Sequence, residues 1–511
     1  MGQGEELNVF SGADSVSRYF DPDNLPLFPL VEIPSRLNPL RNENVRIYAK
    51  MLTAHPALNV KALPALNMLR HEPSAASKSI VEASSGSTVL SLAMAARALY
   101  GHDNVCAYVT NKKQPDQLRL LRLFGLKVAL YGGLAQQEPH DPKGIMSRLR
   151  RLAKADKSVC YLGQYDNDHN WKSHERWTGK QIWKQIPKVN VVCTTVGTGG
   201  CITGTGMYLK SQNPSIRIVG VCNVFGDPTP GPRHFPGFES STFPWKETID
   251  DFEEVSSVAS YSMSMQLCRE GIVAGPSSGE GLCGLIQYLE KLRASGRLSE
   301  LSDPETGETS CVFTCCDLPY QYLDGYFDRL PESQFPPIIN QILLSCDQDK
   351  YSESWILSTR QATRMLSCSA QRKQRRRECK RRSYQARVED GYKRTAGTRC
   401  LDLRQPEDFE TEHIPQSMSS PLKGLTPAIR DLFGDPDTLH TIWTGLQTKF
   451  ERSERLISPK SLPIVILCYD GDTSQVATSI LRAKGYTAFS VCGGFSALRR
   501  VTPTRKLGDE D

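Results

Sequence analysis

From about residue 45 to 330 the apolar positions follow two alternating rhythms. Short β-branched runs, VRIYAKM (45–51), NVCAYVT (104–110), KVALYG (127–132), VNVVCTTV (189–196), RIVGVCN (217–223) and SCVFTCCD (310–317), predict strands. Between them TVLSLAMAARALYG (88–101), PDQLRLLRLFG (115–125), GIMSRLRRLAKA (144–155) and GLCGLIQYLEKLRASG (281–296) carry the helical spacing. Strands alternating with helices of ten or more residues build parallel βαβ units whose sheet is covered on both faces. The expected class is α/β.

Residues 336–392 break this rhythm. STRQATRMLSCSAQRKQRRRECKRRSYQAR (358–387) has few large apolar residues and no strand pattern, and reads as a helical or disordered connector. A nuclear-targeting or polyanion-binding patch is the competing reading. Beyond it TRCLDLR (398–404), LPIVILCYD (462–470) and AFSVCGG (488–494) predict strands around the helical SQVATSILRAKG (474–485). The expected organisation is a domain at 1–335, a basic connector at 336–392, a small α/β domain at 393–503 and a tail at 504–511.

Length and charge narrow the function classes. A chain of 511 residues, 39% hydrophobic and 23% charged, can bury large cores, and none of its apolar runs reaches membrane-spanning length. The net charge of +6 is local, since residues 371–388 carry nine Lys/Arg and one Glu, leaving −2 elsewhere. Neither nucleic acid nor a membrane is therefore an expected partner of the folded parts. The N-terminal stretch lacks the basic and apolar regions of a secretory leader, and Glu6 breaks the myristoylation pattern begun by Gly2. The scattered sixteen cysteines read as reduced thiols in a cytoplasmic protein, less plausibly a mitochondrial one, and no spacing suggests a metal site.

Four stretches bear on chemistry. VGTGGCITGTG (196–206) follows a predicted strand, where backbone N–H groups bared by glycine can wrap an anion. HPALNVKALPALNML (55–69) sets Lys61 among apolar residues at a helix entrance, and desolvation would free such an amine as a nucleophile. A solvated lysine fits the same pattern. VEASSGST (81–88) and AGPSSGEG (274–281) place hydroxyls at helix starts, which suits a carboxylate and equally suits ordinary N-caps.

In this order and spacing, residues 36–325 resemble the cysteine synthase and cystathionine β-synthase family of fold-type II pyridoxal-phosphate enzymes. The resemblance implies a two-subdomain, tryptophan synthase β-like fold and pyridoxal 5'-phosphate held by Lys61 in HPALNVK. It implies cofactor contacts from Ser87, from Gly197, Thr198, Gly199, Gly200 and Cys201 to the phosphate, and from Ser277 to the ring nitrogen. Ser84, Ser85, Gly86 and Thr88, with Gln164 of GQYDNDHNW, would grip the amino acid's carboxylate. Ser87 stands where the family has asparagine, Cys201 replaces a threonine, and TPGPRHFPGFESSTFPW (229–245) is bulky where the family is glycine-rich.

Residues 393–503 resemble a rhodanese domain through Asp402 and Arg404, His413 to Pro415, and Cys468, Gly471, Thr473 and Ser474. A cysteine before a loop and helix meets N–H groups and a dipole that favour a thiolate and so a persulfide, although a core cysteine also ends many strands. Asp470 and Asp472 would repel an anionic donor such as thiosulfate, which favours a persulfide or neutral thiol as sulfur source. The combined expectation is β-replacement on O-acetylserine or a related activated serine by a sulfur nucleophile, in a homodimer whose Lys61 and Cys468 are catalytic. Cysteine degradation or amine β-replacement, and a non-catalytic binding protein, are the alternatives.

Overall fold

The computed structural model describes residues 8–84, 86–113, 115–134, 138–367, 397–429, 431–452 and 460–507. Ser85 and the basic tract 371–388 lie outside the described residues. The chain divides into two compact units, Met1–Phe335 and Pro336–Asp511.

In the first unit the apolar runs become strands of two sheets. The larger contains β1 (Leu30–Glu32), β2 (Val45–Met51), β7 (Val191–Thr195), β8 (Arg217–Asn223), β9 (Asp251–Val255) and β10 (Thr309–Cys315), and the smaller contains β3 (Ser79–Ala83), β4 (Val105–Thr110), β5 (Lys127–Tyr131) and β6 (Val159–Tyr161). The order is β1-β2-β10-β7-β8-β9 in the first, where only β1 runs antiparallel, and β5-β4-β3-β6, all parallel, in the second. Both faces of the larger sheet are covered. Val191, Cys193, Val219, Val221, Cys311 and Phe313 pack with Leu267, Leu282 and Leu285 of the helices Ser257–Arg269 and Pro276–Ala294. Their strand neighbours Val192, Ile218 and Val312 pack the other way, with Ile182, Ile202 and Leu209. This burial of successive residues explains the unbroken apolar runs.

The helix Gly200–Gln212 lies against Asn170–Glu175 so closely that a Cβ on Gly204 would collide with the carbonyl oxygen of Trp171. Part of the glycine richness of 196–206 therefore serves packing, and only residues 196–199 precede the helix.

The second unit is a five-stranded parallel sheet, ordered β11-β16-β15-β12-β14, with a two-stranded antiparallel ribbon β13-β17. These are β11 (Ile356–Leu357), β12 (Arg399–Asp402), β13 (Glu412–His413), β14 (Met418–Ser419), β15 (Ile464–Leu467), β16 (Ala488–Val491) and β17 (Arg505–Lys506). The segment expected as connector contributes β11, paired to β16 through Ile356 and Leu357 opposite Ser490 and Val491. Leu357, Ala362 and Leu366 are buried against Val465, Phe489 and Val491. Two residues of strand carry too little pattern to be read from sequence.

Candidate active site

Parallel sheets expose loops and helix N-termini at the carboxyl ends of their strands, and ligands collect where neighbouring connections diverge. In the first unit the chemistry-bearing residues gather at those ends. Lys61 follows β2, Ser84 and Gly86 to Thr88 follow β3, Gln164 follows β6, and Gly197 to Cys201 follow β7.

Lys61 is half-buried and leads into the helix Ala62–Arg70. Asn59 anchors it: Oδ1 accepts from Lys61 N and from Ser91 Oγ, each at 2.9 Å, while Val60 N donates to Cys316 O at 2.7 Å. No hydrogen bond or ion pair engages Lys61 Nζ among the described residues. Its charge is felt by four groups around it. Burial pushes His174 down to about 3 and Lys61 adds to that shift, while Cys201 and Cys316 are raised by burial against its opposing pull. Asp317 is raised to about 6 by burial, with Tyr322, Gln321 and Lys61 acting in the opposite sense.

Asp317 is a residue the sequence reading missed. Its Oδ2 accepts from Tyr322 Oη at 2.5 Å and Gln321 Nε2 at 3.1 Å, while Oδ1 is buried with no partner among the described residues. A carboxylate ending an apolar strand of a parallel sheet was the available signal.

The glycine loop opens the helix Gly200–Gln212. Gly199 has φ +87°, and a Cβ there would strike the Phe238 ring. Gly200 N donates to Thr198 Oγ1 at 3.3 Å, and Asn170 Nδ2 reaches the same oxygen at 3.2 Å. Asn170 Oδ1, buried and without a partner among the described residues, occupies the space a Gly200 Cβ would need. Cys201 lines this end of the site, with Thr194 Oγ1 3.8 Å from its sulfur. Ser277, 5% exposed, starts the helix Pro276–Ala294 across from Gly231, which in turn abuts Gly197.

At the smaller sheet, Ser84 Oγ accepts from Gly86 N at 3.3 Å, and Ser87 begins the helix Ser87–Tyr100. Thr88 Oγ1 donates to Gln164 Oε1 at 2.7 Å, joining the ends of β3 and β6. Beneath them Glu82 is fully buried and raised to about 8 by burial, with the charge of Asp166 adding and the N–H groups of Ala83, Gly163 and Gln164 opposing. Arg233, 3% exposed, donates to Tyr165 Oη at 3.1 Å and lies 3.8 Å from Glu138. Glu82 and Arg233 were also missed, since neither the short run SIVEA nor the Pro/Gly-rich stretch TPGPRHFPGF reveals what encloses its charged residue.

In the second unit Cys468 ends β15 and the helix Asp472–Ala483 follows its loop. Gly471 N and Ser474 N donate to its sulfur at 3.1 and 3.3 Å. The expected amides are present, but the charge state differs from expectation: burial, with Asp470 adding, pushes the thiol up to about 12. Asp402 and Arg404 form a buried two-pronged pair, Nε to Oδ1 at 3.0 Å and Nη2 to Oδ2 at 2.8 Å. Gly471 has φ +116°, and His413 Nδ1 lies 2.9 Å from Phe409 O.

The donor set suits pyridoxal phosphate: an amine with no hydrogen bond or ion pair among the described residues lies near Cys201 of a glycine loop at a helix N-terminus, where Gly197, Gly199 and Gly200 have no room for a Cβ. Comparisons with known proteins agree. Residues 28–303 match the family of pyridoxal-phosphate-dependent enzymes, and residues 385–500 match the rhodanese-like domain. A cysteine synthase of Aquifex aeolicus is 32% identical over 56% of this chain and 89% of its own length. The N-(2-amino-2-carboxyethyl)-L-glutamate synthase of Cupriavidus metallidurans is 28% identical over 60% and 87%. In fold, the first unit is similar to a hydrogen sulfide-producing enzyme of Fusobacterium nucleatum, with a TM-score of 0.50 at 23% identity, covering 62% of this chain and 99% of that one. No described helix is long and apolar enough to cross a membrane. The chain belongs to the pyridoxal-phosphate-dependent enzyme family, has cysteine synthases among its homologues, and carries a rhodanese-like domain toward its C-terminal end.

Proposed function

We propose that the first unit catalyses β-replacement on O-acetylserine or a related activated serine, with a sulfur nucleophile, and that Cys468 carries sulfur as a persulfide. The observation that carries the reading is the convergence of Lys61, the 197–201 loop and the Thr88–Gln164 pair at the carboxyl ends of two parallel sheets. When bound, pyridoxal phosphate supplies the electron sink that makes an amino acid's α-proton acidic. Lys61 would hold the cofactor, and its Nζ would serve as the base that takes the α-proton. Gly197, Thr198, Gly199, Gly200 and Cys201 hold the phosphate with amides and the helix dipole. Ser277 would meet the ring nitrogen with a neutral hydroxyl, which would favour loss of the β-substituent over chemistry needing a fuller negative charge. Ser84, Ser85, Gly86, Thr88 and Gln164 would orient the substrate carboxylate, and Ser87 would contact cofactor and substrate. The resemblance supports a homodimer, and the described cysteines, all free, support a reducing cytoplasm.

Borohydride reduction followed by peptide mass spectrometry is expected to find a pyridoxyl group on Lys61. Lys61→Ala is expected to abolish both the cofactor's absorbance band and turnover of O-acetylserine with sulfide. An adduct elsewhere, or turnover surviving in Lys61→Ala, overturns the reading.

One observation favours a second reading, β-replacement by an amine that itself bears a carboxylate. Arg233 is a buried cation bonded to Tyr165, the neighbour of Gln164, and a guanidinium there suits a second carboxylate. The relative in Cupriavidus metallidurans is named for such a product. Comparing sulfide, cysteine and glutamate as nucleophiles separates the two.

A further inference from the structure

We propose that the cleft takes its nucleophile by a carboxylate, in a slot between Arg233 and His234 that the side chain of Glu138 fills until that substrate displaces it. The proposal rests on the reading of the first unit as a β-replacement enzyme and deepens the second form of that reading.

Arg233 stands between the two ends of the site. Its N donates to Val196 O at 2.8 Å, next to the 197–201 loop, and its O accepts from Asn223 N at 2.9 Å. Gly231, two residues earlier, lies against both Gly197 and Ser277. From that position the side chain reaches Tyr165, which follows Gln164, the partner of Thr88. Nη2 and Nε donate to Tyr165 Oη at 3.1 and 3.4 Å, and the guanidinium carbon lies 4.9 Å from the centre of the Tyr165 ring. The guanidinium is thereby fixed and almost fully enclosed, with Nη1 toward Glu138.

Glu138 holds its place loosely. Its Oε2 lies 3.8 Å from Arg233 Nη1, and its Oε1 lies 3.8 Å from His234 Nε2. His234 Nδ1 accepts from Gly237 N at 3.0 Å, so the neutral ring carries its proton on Nε2, the nitrogen that faces Glu138. Both distances exceed hydrogen-bond length. The Glu138 side chain is 48% exposed, and an ion pair so open to water is weak. Its backbone is anchored separately, with Arg150 Nη1 donating to Pro139 O at 3.0 Å and Asp141 N to Glu138 O at 3.3 Å. The carboxylate can therefore swing into water while the chain stays in place.

A ligand carboxylate entering the slot would approach the two donors to about 2.8 Å, making charge-assisted hydrogen bonds where Glu138 stands off. The exchange is neutral in charge. One carboxylate replaces another beside Arg233, so the buried cation is never left uncompensated. A nucleophile without a carboxylate cannot make that replacement. Glu138 thus acts as a tethered competitor, and removing its charge should favour nucleophiles that bring their own.

The test uses the full-length holoenzyme as wild type, Glu138→Gln and Arg233→Gln, with two readouts. Glutarate, a dicarboxylate with no nucleophilic group, is titrated by calorimetry. Glu138→Gln should bind it at least fivefold more tightly than the wild type, and Arg233→Gln at least fivefold more weakly with the cofactor's absorbance unchanged. With O-acetylserine as the first substrate, mercaptoacetate and 2-mercaptoethanol then compare one thiol with and without a carboxylate. The ratio of their kcat/KM values should rise at least fivefold in Glu138→Gln and fall in Arg233→Gln. Equal glutarate affinity in the wild type and Glu138→Gln refutes the proposal, and so does an unchanged thiol ratio. If Glu138→Gln instead gains selectively for O-phosphoserine over O-acetylserine, the slot serves an anionic leaving group and the proposal is overturned. If the wild type turns over no thiol or amine with either serine ester, the β-replacement reading falls, while glutarate binding still decides whether Glu138 competes for the slot.

Discussion

Replacing Glu82 by glutamine should change how stability depends on pH. The carboxyl is fully buried beneath the loop Ser84–Thr88, Oε1 accepts from Ala83 N at 3.1 Å, and Oε2 has no partner among the described residues. Its pKa is raised from 4.5 to about 8. Between those values the folded chain keeps a proton that the unfolded chain releases. The protonated carboxyl's contribution is therefore complete below pH 4.5 and is lost as pH rises toward 8, with a slope approaching ~1.4 kcal/mol per pH unit. From pH 5 to pH 8 this amounts to ~4 kcal/mol. Glu82→Gln preserves size and the acceptor for Ala83 N but does not titrate. Urea unfolding followed by cofactor absorbance reports the first unit alone, and Asp317 and Glu280, also raised by burial, titrate in both proteins and cancel. The variant is expected to gain on the wild type steadily between pH 5 and pH 8. Parallel curves would show that Glu82 ionises normally, and would refute the burial argument.

Gly204→Ala should destabilise the first unit by ~1–3 kcal/mol in the same assay, because its Cβ meets the Trp171 backbone, which cannot swing aside. Thr88→Val strips Gln164 Oε1 of its donor, so KM for the amino acid should rise tenfold or more with the cofactor spectrum unchanged, as ~1–3 kcal/mol for an unsatisfied buried acceptor implies. Asp402→Ala leaves Arg404 buried without its carboxylate; a loss of ~3–5 kcal/mol should appear by hydrogen exchange in the second unit only. Iodoacetamide at pH 8 should label Cys492 well before Cys468, whose thiol stays protonated until about pH 12, and the Cys468 rate should climb with pH.

The strands β2, β4, β5, β7, β8, β10, β12, β15 and β16, the helices Ser87–Tyr100, Pro276–Ala294 and Asp472–Ala483 and the glycine loop were legible in the chain itself, because an apolar run buried on both faces and a glycine-rich strand end are local patterns, whereas β3, β9 and the helices Ser257–Arg269 and Pro436–Arg452 were not. Lys61, Thr88, Gln164, Gly197 to Cys201 and Ser277 were named from motifs, and the fold brings them to the carboxyl ends of the two sheets. Short elements such as β6 and β11 escaped, since two or three residues show no period. Environment escaped for a different reason: the charge state of Glu82, Asp317 and Cys468 is set by what encloses them, and the enclosing atoms come from distant parts of the chain. The Thr88–Gln164 bond, likewise, exists only because residues 76 apart in sequence lie at the ends of the adjacent parallel strands β3 and β6. Local pattern determined the elements and the candidate chemistry, whereas desolvation and cross-strand proximity, being properties of the assembled sheet, were decided by tertiary structure.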